Sequence, residues 1–141
     1  MSDFPTVSTT VLDTTDARGL AEFYRQLLGL RYRPGDEAPA PGEPDPLGRD
    51  WLVLVGDPGV RLAFQQVDAL PRSTWPEDGV PQQLHLDLTV GSATDLDRQH
   101  ERVLALGGEL RFDRSDDAAE PLRAYADPAG HPFCILVSGS A

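Results

Sequence analysis

The stretch Gln83-Leu84-His85-Leu86-Asp87-Leu88-Thr89-Val90 alternates polar and apolar residues without a break. In an extended chain successive side chains point to opposite faces, so Gln83, His85, Asp87 and Thr89 share one side and four aliphatic residues share the other. A half-buried strand over 83–90 is predicted. Downstream, residues 93–106 place Leu96, Val103, Leu104 and Leu106 as the buried positions of a helix, which Gly107-Gly108 ends because glycine takes the left-handed conformation cheaply. Strands are predicted over 109–114, 122–126 and 133–137, with an acidic turn region at 115–121 and a joining turn at Asp127-Pro128-Ala129-Gly130.

The first half has the same order. A β-prone run at 7–13 leads through the capping oxygens of Thr14-Thr15-Asp16 into Leu20, Phe23, Tyr24, Leu27 and Leu28 at helical spacing, and Gly29 stops that helix. Short strands at 30–32, 51–55 and 61–67 follow, the last two joined at Gly56-Asp57-Pro58-Gly59. Residues 33–50 hold five prolines and three glycines with almost nothing to bury. They read as a long loop. The chain thus reads as one α+β domain over 1–141, built from two tandem βαβββ modules at 5–67 and 83–138 with a linker at 68–82. A repeat of this length is a duplicated module rather than a solenoid. Two curved sheets, each covered by a helix on one face, would enclose a cleft, and ligands favour such concave surfaces.

Composition narrows the function. Of 141 residues, 23 are acidic and 12 basic, giving a formal charge of −11, and no basic residue is a lysine. A lysine Schiff base and a phosphate-loop lysine are therefore excluded, and the negative field repels a nucleic-acid backbone. One cysteine excludes an internal disulfide and a multi-thiolate cluster. No apolar run reaches the roughly 18 residues of a membrane span, and the first residues lack a signal-like pattern. A soluble, cytoplasmic protein is expected, with no nucleic-acid or membrane partner.

Val11-Leu12-Asp13-Thr14-Thr15-Asp16, Leu20-Ala21-Glu22-Phe23-Tyr24, Leu27-Leu28-Gly29-Leu30, His85-Leu86-Asp87-Leu88-Thr89-Val90, Leu106-Gly107-Gly108 and Asp127-Pro128-Ala129-Gly130-His131-Pro132-Phe133 together resemble the vicinal oxygen chelate superfamily. That superfamily includes glyoxalases, bleomycin-resistance proteins and extradiol dioxygenases. The resemblance implies their fold, with two modules around a cleft, and a homodimer. It does not fix the reaction. In metal-dependent members four ligands come from the first and fourth strands of each module, which correspond here to Thr9, Gln65, His85 and Cys134. The glutamine match can slip to Gln66 or Ala63.

Only His85 is a full match. One imidazole, one amide and one soft thiol do not make an oxygen-rich octahedral site or a two-histidine, one-carboxylate iron site, so no cofactor is predicted, a divalent metal being the alternative. The expected function is binding of a small organic molecule without ordinary glyoxalase I activity. The alternative is a metal-dependent or metal-free lyase, isomerase or dioxygenase using His85, held by Asp87, as acid or base. The candidate catalytic residue is His85, and the candidate ligand-binding residues are Gln65, Asp87, Trp51, Arg61 and Cys134. Trp51 and Trp75 flank the long loops, where an aromatic ring stacks on a ligand or anchors the loop. Asp13 and Asp16 are assigned to the strand-to-helix turn, and Cys134 is otherwise a packing residue. His100 and His131 are expected at the surface.

Overall fold

A computed structural model describes residues 3–138. Among the described residues there are two α-helices and eight strands, the strands forming two four-stranded sheets. The chain divides into two compact units between Leu70 and Pro71, inside the segment expected to link the modules.

The first unit contains β1 (Thr10–Thr14), α1 (Ala17–Leu28), β2 (Arg31–Tyr32), β3 (Trp51–Gly56) and β4 (Val60–Gln66). Its sheet order is β1-β4-β3-β2, with β1 parallel to β4 and the other pairs antiparallel. In α1, Leu20, Phe23, Tyr24 and Leu27 fall on one stripe, as the 3.6-residue period requires, and all four are buried. Tyr24 stacks on Phe64 of β4 at 5.9 Å. The Asp16 carboxylate caps α1 by accepting the Gly19 N–H at 3.0 Å, and Gly29 closes it in the left-handed region at φ 67°. Removing that capping oxygen with Asp16→Ala is expected to cost about 1 kcal/mol in a denaturant titration.

The long loop is not empty. Asp36 is only 4% exposed, and its carboxylate accepts the buried Val53 N–H at 2.9 Å. Arg18 of α1 grips Asp45 with two hydrogen bonds, of 2.8 and 2.9 Å, donates to the Asp36 carbonyl at 2.7 Å and lies over the Tyr32 ring. Residues 33–50 are therefore tied to α1 and β3 by polar groups, which an apolar-burial reading of sequence passes over.

The second unit contains β5 (Leu86–Val90), α2 (Ala93–Leu106), β6 (Glu109–Arg114), β7 (Leu122–Ala126) and β8 (Pro132–Val137) in sheet order β5-β8-β7-β6. Strand β5 starts at Leu86, three residues later than the alternation predicts. Its parallel partner explains the difference: Leu86 pairs with Phe133, and the preceding Pro132 has no N–H to extend the ladder. Of the predicted buried positions of α2, Leu96 and Val103 are buried, Leu106 is half-buried and Leu104 is 44% exposed. Leu104 follows Val103 directly and so turns about 100° away from the sheet. Among the described residues, no helix is long and apolar enough to cross a membrane.

Candidate functional site

Strand register decides which side chains of the second unit meet. Tyr125 of β7 pairs with Phe133 of β8 and stacks on it at 5.4 Å, and its hydroxyl is 2.9 Å from His100 Nδ1 on α2. This parity faces the helix. The opposite parity runs Asp87–Cys134–Ala124–Phe112 across all four strands, with Leu136, Leu122 and Arg114 in the next row. Asp87, Cys134, Phe112 and Arg114 therefore share the face turned away from α2.

His85, just ahead of β5, comes to the same face: its Nε2 lies 3.3 Å from Asp87 Oδ1. One donor atom from each of His85, Asp87 and Cys134 lies within 4.8 Å of the other two. Burial pushes the Cys134 thiol pKa up, the Asp87 carboxylate adds to the rise, and the Arg114 guanidinium opposes it. The thiol is thus protonated at neutral pH and is no ready nucleophile. Arg114 was not expected from the sequence. Its Nε is buried with no hydrogen-bond acceptor, and the ion pairs it makes, to Glu120 at 3.3 Å and Asp117 at 3.8 Å, leave that donor unserved. Phe112 is 42% exposed, with the Trp75 ring edge-on at 6.1 Å. Arg111 fixes the Trp75 loop by donating to the Thr74 and Trp75 carbonyls and to Glu77.

In the first unit, Gln65 pairs with Trp51 across β3 and β4, and Arg61 lies on the same face, away from α1. Arg61 Nε donates to Thr9 Oγ1 at 3.1 Å. The two adjacent glutamines have different work. Gln66 accepts the Ala17 N–H at 2.8 Å and donates to the Thr15 carbonyl at 2.6 Å, which ties β4 to the start of α1. Gln65 is exposed on the other face.

Two other expectations change. His100 is half-buried against Tyr125 rather than solvated, because α2 turns it toward the sheet. His131 is half-buried too, its backbone N–H and carbonyl both bonded to the buried Asp127. An open hollow of about 350 Å³ lies beside Tyr32 in the first unit, and one of about 330 Å³ lies in the Trp75 loop of the second, lined also by Gln82.

Paired βαβββ units with these sheet orders are the fold of the glyoxalase, bleomycin-resistance and dioxygenase group. A protein of that group from Burkholderia phytofirmans superposes with a TM-score of 0.66 at 16% identity, over 92% of this chain and 96% of the other. A fosfomycin resistance protein from Listeria monocytogenes gives 0.66 at 15% identity over 96% and 94%. A lactoylglutathione lyase from Agrobacterium tumefaciens gives 0.59 at 17% over 97% and 96%. Residues 9–136 match the sequence profile of the glyoxalase-like domain, and the chain belongs to that family. No curated protein matches.

The four-ligand set that metal-dependent relatives imply does not fit this chain. The Thr9 hydroxyl accepts from the Arg61 guanidinium, which sets a positive charge at the first position, and the last position carries a protonated thiol in place of a carboxylate.

Proposed function

We propose that this glyoxalase-like protein binds a small organic molecule with an aromatic body and an acid or other acceptor group on the helix-opposed face of the second sheet. The observation that carries the reading is the buried, acceptor-less Arg114 Nε in one face with His85, Asp87 and Cys134. An unsatisfied buried donor costs about 1–3 kcal/mol, and a ligand carboxylate would return it by drawing the 37%-exposed Arg114 guanidinium outward, since the Nε itself has no exposed surface. Exposed Phe112 and Trp75 supply aromatic surface beside it.

Benzoate and benzylamine form a matched pair of probes, because they share a ring and differ in the sign of the charge. Benzoate is expected to shift the amide resonances of Phe112, Arg114 and Cys134, and Arg114→Gln is expected to weaken it at least tenfold. Equal binding of the two, or no effect of the substitution, would remove Arg114 from the site. Glutathione-dependent isomerisation of methylglyoxal is not expected with added nickel or zinc, since the carboxylate that serves as ligand and base in such enzymes is absent at position 134. Steady turnover would refute that half of the reading.

A second reading keeps His85 as an acid or base in an enzyme, and the 3.3 Å approach of Asp87 favours it. It differs in one measurement. His85→Ala would abolish turnover of a substrate whose binding it leaves intact, whereas a pure binding site loses affinity alone. The homodimer that the family resemblance implies is read from the mass of the protein in solution.

A further inference from the structure

We infer that the Trp75 loop of the second unit is a separate binding site, whose hollow of about 330 Å³ takes a small organic cation bearing N–H donors, an alkylammonium ion. Its lining runs from Trp75 to Gln82, so the site is complete within one unit. It does not use Arg114 and selects the opposite charge. Three observations support it.

The hollow is held open by the protein's own bonds. Thr74 closes the loop on itself, its N–H donating to the Val80 carbonyl at 2.8 Å and its hydroxyl accepting the Val80 N–H at 2.9 Å. From β6, Arg111 pins the same loop through the Thr74 and Trp75 carbonyls and the Glu77 carboxylate. A ligand that enters a site already fixed has little ordering to impose on it.

The lining also carries an acceptor that lacks a donor. Gln82 Oε1 is buried and has no hydrogen-bond partner. Because that atom has no exposed surface, a ligand N–H meets it when the half-buried Gln82 amide turns toward the hollow, and the terminal torsion of a glutamine is soft enough for the turn. Leaving a buried acceptor unserved is unfavourable, so a ligand that donates to it gains affinity.

Charge and surface select the rest of the ligand. Glu77 and Asp78 both line the hollow. Arg111 is shared between Glu77 and Glu109, and Asp78 makes no ion pair among the described residues, so its charge is uncompensated. Trp75, Pro76 and Pro81 give a short apolar wall, and an indole is the ring that attracts a cation best. A carboxylate would meet only repulsion from Asp78 and a further acceptor at Gln82.

The test titrates isotope-labelled, full-length protein with n-butylammonium chloride and, in parallel, with n-butyltrimethylammonium chloride and sodium butyrate at constant ionic strength. Butylammonium is expected to shift the Trp75 indole N–H and the Asp78 and Gln82 amide resonances saturably. The trimethyl ion keeps the charge and the chain but has no N–H, so it should bind roughly tenfold more weakly, the worth of one charge-assisted hydrogen bond. Butyrate should give no saturable shift at these groups. Neither Gln82 nor Asp78 belongs to the core. Gln82→Leu should lower the affinity for butylammonium to that for the trimethyl ion, and Asp78→Asn should weaken both ions about threefold, as loss of an exposed charge does. Absence of a saturable butylammonium shift, equal affinity for the two ammonium ions, indifference to either substitution, or saturable butyrate binding in the loop would overturn the site. Benzylamine that enters this hollow is seen at Asp78 and Gln82, and its comparison with benzoate is read at Arg114, so failure of either reading is recognised without the other.

Discussion

Asp36→Ala is expected to lower the unfolding free energy by about 3 kcal/mol, with the denaturation midpoint falling and the slope unchanged. The size follows from position. Strand β2 ends at Tyr32, Arg33 N–H still reaches the Val53 carbonyl, and beyond it the free edge of β3 has no strand beside it. The Asp36 carboxylate takes over there, accepting the Val53 N–H at 2.9 Å and holding Arg33 at 3.0 Å. Alanine leaves a buried backbone donor unpaired, at about 1–3 kcal/mol, and removes a charge-assisted bond of similar worth. Asp36→Asn keeps an acceptor for Val53 and loses only the charge, so its cost should be near 1 kcal/mol. Proteolysis within residues 33–50 should accelerate in the alanine variant and hardly change in the asparagine one. Equal costs for the two variants would mean that the bond to Val53 contributes nothing.

The proline-rich segment shows where sequence reading stops. Asp36 and Asp45 sit among turn residues with no apolar period, so nothing local marks one as buried in a β-edge and the other as the partner of Arg18. Those contacts join residues 17 and 27 positions apart, and spacing rules see only a few. The strands, helices and glycine stops were legible because each is written in a local period or a local cap, and α2, β6 and β7 fall on their predicted bounds. The pairing of His85 with Asp87 was legible for the same reason. Their convergence with Cys134 required the parallel register of β5 with β8, and Arg114 required in addition the antiparallel registers of β6, β7 and β8. A cue did exist for Arg114. It shares parity with exposed Phe112 in β6, and an arginine on the helix-opposed face of a predicted strand is a candidate ligand contact. The slip between Gln65 and Gln66 is of another kind, since alternation places neighbours on opposite faces and only the contact of Gln66 with Ala17 says which is which.

Alternation also gives the second large effect, through two adjacent residues of β8. Phe133→Ala is expected to cost about 3–5 kcal/mol, because a fully buried aromatic ring is lost and the cavity left beside Tyr125 cannot collapse onto a strand paired on both sides. Cys134→Ala, one position along, removes a half-buried sulfur from the opposite face and should cost under about 1 kcal/mol. Benzoate binding should respond in the reverse order. Measured at a temperature where both variants remain folded, Phe133→Ala should keep the benzoate-induced shift of the Arg114 amide and Cys134→Ala should weaken it. The same split is expected on β5, where Leu88 faces α2 and Asp87 the opposite side. Loss of stability on substituting Cys134 that matched the loss at Phe133 would place the thiol in the core and remove it from the proposed binding face.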